Sequence, residues 1–252
     1  VTSCGFTYRH YGETLRQARE AGYAFAAFHE EPVDGRPFLL LRHDIDFSPE
    51  LALPVARLEA ALGIRSTVFV LPHAHYNPLG AAYPALREIV GLGHHLGIHY
   101  DLAFYAAHGL PPAETVAAEA DALAARFGTP VAVAAQHNPG RTPRPEGLDL
   151  RPLLDAYGPA FTRETRYLSD SCQSWREGCF CGFLDPGRHP RLQVLTHPIW
   201  WSEDGRAADE ALRAHTARRI AEARHDEREA SRHYAGLPHL PNRKLFEDMD
   251  RE

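Results

Sequence analysis

The chain has no apolar run approaching the ~20 residues that a membrane span requires, which excludes a spanning helix. It has no surplus of positive charge: 27 Lys and Arg stand against 33 Asp and Glu, for a formal net charge of -6. Binding nucleic acid through its phosphates is therefore not expected. No G-x-G-x-x-G follows the first strand, so a dinucleotide site has no support. No G-x-S-x-G elbow is present either, which argues against a Ser-His-Asp hydrolase. Cysteine is scarce. Of the four, Cys172, Cys179 and Cys181 fall close together around Trp175, and Cys4 stands alone near the N-terminus. The Cys179-Phe180-Cys181 spacing is too tight for the C-x2-C pattern of zinc modules, so reduced thiols are expected, with a structural metal or a disulfide as the lesser alternative. Val1-Thr2-Ser3-Cys4 shows no basic region leading into an apolar segment, so no signal peptide is visible and the cytoplasm is the expected compartment. With no internal repeat, low-complexity linker or composition break, residues 1–252 are expected to form a single domain.

What is present is ordinary soluble-protein composition, 44% hydrophobic and 24% charged, arranged around one stretch. Pro37-Phe38-Leu39-Leu40-Leu41-Arg42-His43-Asp44-Ile45-Asp46 is an apolar run of strand length that closes on two carboxylates. Because strand side chains alternate with period two, Asp44 and Asp46 start on one face. Such a pair repels, and one carboxyl is raised unless a cation lies between them. The bland alternative is a polar loop in which Asp46 helps cap the next helix.

Along the chain, helices are expected over Tyr11–Gly22, from Ser48-Pro49 to Leu62, over Tyr83–Leu92, Pro112–Phe127 and Leu150–Tyr157, and from Ala207 to about His233. The last is expected to pack through Leu212, Ile220 and Ala221. Strands are expected at Ile64–Leu71, Gly93–Asp101, Pro130–Ala135, Arg166–Ser171 and Arg191–Pro198. Alternating strands and helices call for a parallel sheet with helical crossovers. The residues just after the strands are Asp44 and Asp46, His73 and His75, His99 and Asp101, His137 and Asn138, Asp170, and His197. Chemistry-bearing side chains thus collect at the C-terminal ends, where parallel α/β folds build their sites.

Asp46 and His99 are the best metal candidates, because one carboxylate with neutral imidazoles and an open position is the pattern of a catalytic zinc site. For a lone histidine, a hydrogen-bonded core role would be the commoner outcome; several histidines ending different strands of one sheet weaken it. His137, before the turn Asn138-Pro139-Gly140-Arg141, reads equally as a third ligand or substrate contact and as a loop histidine. Asp170 is the carboxylate to pair with His197, fixing its tautomer and raising its basicity. Asn77, Arg141, Trp175, Arg176 and Trp201 are candidates for the substrate pocket. Trp200 and Trp201 can be core residues or stacking surfaces for a sugar ring.

In order and separation, these residues resemble the motifs of the NodB-like polysaccharide deacetylases, carbohydrate esterase family four. His43-Asp44-Ile45-Asp46 is similar to the first motif in its D-x-D form, and Ser66-Thr67-Val68-Phe69-Val70 to the strand that follows it. Gly93-His94-His95-Leu96-Gly97-Ile98-His99 is similar to the second motif, Asp170 with Trp175 and Arg176 to the fourth, and Leu195-Thr196-His197-Pro198 to the fifth. The resemblance spans about Phe38 to Trp201. It implies a distorted (β/α)7 barrel of parallel strands with outer helices, one divalent metal (usually zinc), and hydrolysis of an N-acetyl or other N-acyl group on an amino sugar or a sugar-containing biosynthetic intermediate. By position it implies Asp44 as general base, Asp46 and His99 as metal ligands, His197 as general acid and Asp170 as its partner. The family's second metal histidine falls four residues after the first, where this chain has Ala103. His137 is the expected replacement and Asp101 the second choice. The alternatives are a metal amidase acting on a non-sugar substrate and an inactive barrel that only binds sugar.

Overall fold

The Phe38–Ile45 run is the strand on which the fold is hung. In the computed structural model, which describes residues 4–30 and 35–235, it is β2, with β1 (Ala24–Ala26) before it. After it come β3 (Thr67–Val70), β4 (His95–Tyr100), β5 (Val131–Gln136), β6 (Leu154–Asp155), β7 (Arg166–Ser169) and β8 (Arg191–Thr196). Every pairing is parallel, in the order β6-β5-β4-β3-β2-β8-β7, with β1 joined to β2 off this path. The sheet curls into a half-barrel with helices around it, a distorted barrel-like α/β fold. Side chains span the gap between its two ends. The Tyr157 and Tyr167 rings lie 6.1 Å apart, and Gln193 on β8 donates to the carbonyls of Ala156 (3.3 Å) and Phe161 (2.7 Å).

The helices are α1 (Tyr8–Glu20), α2 (Leu53–Ala61), α3 (Tyr83–Gly91), α4 (Leu102–His108), α5 (Pro112–Phe127), the short α6 (Pro159–Thr162) and α7 (Ala208–Ala235). β2 is buried from Leu39 to Ile45, as a strand covered on both faces must be. Its alternation sends Arg42 and Asp44 to one face and His43 to the other, against Glu59 of α2. Gly97 on β4 makes room for this arrangement. A Cβ there would come within 2.6 Å of the Phe69 ring, and that ring lies 4.8 Å from the Arg42 guanidinium.

Several expectations are corrected. Leu150–Tyr157 is not helical: Pro152 breaks the helical ladder, the Asp149 carboxylate accepts the Arg151 N–H at 3.0 Å, and the segment becomes a turn and β6. Ser48 stands at the N-cap of a 3-10 turn, Pro49–Leu51, ahead of α2, but its side chain makes no cap hydrogen bond there and its hydroxyl donates to Glu50. The helix α4 follows β4 directly, where sequence periodicity showed none.

Residues 1–206 and 207–252 are two compact units. In the second unit α7 is charged along its length, with i,i+4 pairs Arg213–Asp209 and Arg218–Glu222. Ile220 is 50% exposed and Ala221 is exposed too, where burial was expected. No helix among the described residues is long and apolar enough to cross a membrane. Val1-Thr2-Ser3 lie outside the described residues.

Candidate metal centre and catalytic site

Asp44, Asp46, His99, His137 and His197, drawn from four strand ends, converge at the C-terminal mouth of the half-barrel. Arg42 organises the first of them. It is 0% exposed and donates from Nε to Asp44 Oδ1 and from Nη2 to Asp44 Oδ2, both at 2.8 Å. Nη2 also donates to the Tyr157 hydroxyl at 3.1 Å, and the guanidinium lies 4.5 Å from the Tyr157 ring centroid. A forked, planar donor holds a carboxylate in one orientation, which a lysine could not do. Burial alone would raise the Asp44 carboxyl; the Arg42 charge, with His99 adding, takes it below its ordinary value.

Asp46 is the unsatisfied member. Its Oδ1 is a buried atom without a well-formed hydrogen bond, although His99 Nε2 and His137 Nδ1 each stand 3.3 Å from it. Those two nitrogens are 3.2 Å apart. His99 is committed on its other side, its Nδ1–H donating to the Ala135 carbonyl at 3.0 Å, so Nε2 carries the free lone pair. The β4–β5 register, which pairs His99 with Ala135, sets this tautomer. Burial would raise Asp46 as well, yet the imidazoles facing it hold its carboxyl well below the usual range. His137 shifts the other way: burial lowers it, but the Asp46 carboxylate 3.3 Å from its Nδ1 brings it above its ordinary value. The cluster is a place that wants positive charge, supplied by a proton on an imidazole or by a cation. Asp46, His99 and His137 offer one ligand atom each, all within 4.8 Å of one another, and could hold a metal ion.

The structure places neither Ala103 nor Asp101 in this cluster. Ala103 is exposed on α4. The Asp101 side chain caps α4, accepting from the N–H groups of Ala103 (2.8 Å) and Phe104 (3.2 Å), so it is not available as a ligand. His137 reaches the cluster because its N–H donates to the Tyr100 carbonyl at 2.7 Å, continuing the β4–β5 ladder one residue past the strand end. Asn138 Nδ2 lies 2.7 Å from His137 Nε2. For Nδ1 to ligate, that amide must turn so that its oxygen accepts the Nε2–H.

His197 closes the opposite side. Its Nδ1 lies 2.7 Å from Asp170 Oδ1, its own backbone N–H also donates to Asp170, and the Trp201 indole N–H donates to Oδ2 at 2.9 Å. Burial leaves the Asp170 carboxyl above its ordinary value, although its three donors, the His197 ring, the His197 N–H and the Trp201 indole, oppose this. Burial would lower His197; the hydrogen bond and charge of Asp170, with Asp44 and Asp46 adding, raise it instead to about 9. Its Nε2 faces the cluster, 3.9 Å from Asp46 Oδ2.

The pocket candidates divide. A cleft of about 560 Å3 abuts the cluster through Asn138 and Tyr157, and Arg141, Trp175 and Arg176 line it. Asn77 is not among its walls. It is an exposed turn residue whose left-handed backbone (φ 46°) shapes the 74–82 loop. Trp201 is 3% exposed, packed edge-on against Tyr11 (4.9 Å) and Phe6 (5.2 Å); it positions Asp170 and offers no stacking face. Trp200 is buried too. Arg42 escaped sequence reading, since an arginine inside an apolar run has no periodic signature. The only hint is its i,i+2 relation to Asp44, which puts both on one strand face.

Comparison with protein-family models, with curated proteins and with solved structures finds no match in any of the three.

Proposed function

We propose that the protein is a metal-dependent hydrolase that removes an N-acetyl or other N-acyl group from an amino sugar, with zinc as the ion. The observation that carries this is Asp46 Oδ1, a buried carboxylate oxygen that faces two imidazole nitrogens and lacks a hydrogen bond of its own. Two imidazoles with one carboxylate suit zinc better than magnesium or calcium, which prefer all-oxygen shells. Three protein ligands leave a coordination position open, as catalytic sites require. The motif resemblance to NodB-like deacetylases, from Phe38 to Trp201, points the same way.

Bound at Asp46, His99 and His137, such an ion would lower the pKa of a water toward ~7 and polarise the acyl oxygen. The remaining work falls to the chain. Asp44, ionised and oriented by Arg42, accepts a proton from the attacking water. Its Oδ2 faces the cluster, 3.5 Å from His99 Nε2. The Arg42 fork weakens Asp44 as a base, which an acidified water tolerates. His197, protonated at neutral pH and turned by Asp170, gives its Nε2 proton to the leaving amine, which is too poor a leaving group without it. The adjoining cleft presents the rings of Tyr157, Tyr167 and Trp175 beside Arg141 and Arg176, surfaces that suit a saccharide carrying an anionic group.

The test combines elemental analysis of purified protein with acetate release from a panel of N-acetyl sugars and of N-acetyl amides lacking a sugar. Zinc-dependent release from the sugars, abolished in Asp46→Ala, is the expected outcome. Release only from the non-sugar amides would move the protein to the metal amidases, and sugar binding without turnover would make it a binding barrel. Full turnover by Asp46→Ala in chelator would overturn the site assignment.

A further inference from the structure

The cysteines left as ordinary thiols by their spacing are not scattered in space. Cys4, His10, Cys179 and Cys181 each present one ligand atom, and all four atoms lie within 4.8 Å of one another. His10 Nε2 is 3.2 Å from Cys179 Sγ, and Cys4 Sγ is 3.5 Å from Cys181 Sγ. A disulfide bond is about 2.0 Å long, so the Cys4 and Cys181 sulfurs are not bonded to each other, and all four cysteines are free thiols. Tetrahedral zinc, with Zn–S near 2.3 Å and Zn–N near 2.05 Å, requires S···S edges of about 3.8 Å and S···N edges of about 3.6 Å. The two separations, 3.5 Å and 3.2 Å, lie slightly inside those edges.

We propose that these four residues form a second metal site, a structural Cys3His zinc centre remote in sequence from the barrel-mouth residues. Four protein ligands close the coordination shell, so this site binds no substrate or water, in contrast to the three-ligand cluster at the barrel mouth. Its position explains what it does. The connection from β7 to β8, residues 170–190, contains no helix or strand longer than a 3-10 turn, yet Trp175 to Gly178 on it form one wall of the cleft. Irregular connections of this length are uncommon in compact folds unless something staples them. Cys179 and Cys181 follow that wall directly. The partners come from the N-terminal segment: Cys4, and His10 in the first turn of α1, where its backbone N–H is capped by Thr7 at 3.1 Å. Ring contacts flank the same junction, Phe6 against Trp175 (6.3 Å) and Tyr11 against Phe180 (6.1 Å). The zinc ties the loop carrying the cleft wall to α1, each of the three thiols releasing its proton to solvent as the metal binds.

The site can be tested whatever the barrel mouth does. In the double variant Asp46→Ala/His99→Ala, which removes the other ligands, elemental analysis is expected to find one zinc per chain. In native protein one thiol, the exposed Cys172, is expected to react at once with a disulfide reagent, while three react slowly and release that zinc stoichiometrically. Cobalt(II) alone, added to the zinc-depleted double variant, is expected to give an intense thiolate-to-metal charge-transfer band, lost in Cys179→Ser on that background. A double variant free of zinc with four equally fast thiols would overturn the proposal. So would mass spectrometry showing two of the thiols joined in a disulfide. Because the zinc count and the cobalt band are read on the double variant itself, they decide the matter even if Cys179→Ser fails to fold. Failure of the hydrolase reading would leave them unchanged.

Discussion

Two polar networks back onto the same strand from opposite sides, and they differ in completeness. Behind β2, His43 Nε2 donates to Glu59 Oε1 at 2.9 Å, Ser66 donates to Glu59 Oε2 at 2.7 Å, and the Tyr11 hydroxyl donates to Glu59 as well. His94 completes that group, its Nε2–H on the Ala56 carbonyl at 2.9 Å and its Nδ1 accepting the Ser66 N–H at 3.1 Å. Burial alone would raise the Glu59 carboxyl, but the His43 imidazole and the donors around it bring it below its ordinary value. In front of β2, a second group of carboxylates and histidines, with Arg42, leaves Asp46 Oδ1 and Arg42 Nη1 without hydrogen bonds. Buried polar groups are nearly always satisfied, and the exceptions concentrate where a ligand or a reaction supplies the missing partner. The rear network closes on itself, whereas the front one leaves buried atoms open, and it is on that difference that the proposed site rests.

Mutation should break this contrast in opposite ways. His197→Ala removes the proposed acid and is expected to lower turnover by about 10²–10⁴-fold with little change in stability or metal content, measured by acetate release, denaturation and elemental analysis. Asp170→Asn, which spoils only the orientation of His197, is expected to cost about 10–100-fold. Glu59→Ala does the reverse. It strands His43, Tyr11 and Ser66 in the core and is expected to cost about 3–5 kcal/mol in chemical denaturation, while the folded fraction keeps its turnover. A Glu59→Ala protein that is stable but inactive would show that the rear network belongs to the chemistry.

The pH dependence sharpens the same division. His197 is raised from its ordinary 6.5 to about 9, so the folded protein holds that proton more tightly than the unfolded chain does. The stabilisation from the His197–Asp170 pair is therefore complete below about pH 6.5 and is lost as pH rises through about 9. Chemical denaturation of chelator-treated protein across this window should show the decline, and Asp170→Asn should flatten it. The smallest effects belong to the cleft. Arg141→Ala and Arg176→Ala are each expected to raise KM roughly two- to fivefold with kcat unchanged. That effect should shrink in high salt, as exposed charge contacts do.

Much of the barrel mouth was legible in the linear chain. The order of strands and helices, the clustering of Asp, His and Asn at strand ends, and the shared face of Asp44 and Asp46 all follow from short-range periodicity. His137 could be proposed as the replacement for the histidine absent at Ala103 because it ends the neighbouring strand. Illegible were features in which one residue's role depends on a distant partner. Asp101 looked like a ligand and is a helix cap, because α4 begins immediately after β4. Trp201 looked like a stacking surface and is an anchor for Asp170. Leu150–Tyr157 has helical spacing, but Pro152 and the Asp149 turn outweigh it. Glu59 carried no sequence signal and Arg42 only its i,i+2 relation to Asp44, since a buried charge is read from what pairs with it.

Local order along the chain determined the parallel α/β architecture and which strand ends carry ionisable groups, because strand alternation, helix periodicity and turn chemistry act over a few residues. The tertiary structure alone decided which of those groups meet. Cys4 and His10 stand beside Cys179 and Cys181, and His99 stands between Asp46 and His137, only after the sheet has curled. A distance of a few ångströms between residues tens to well over a hundred positions apart is a property of the closed fold, and no local pattern encodes it.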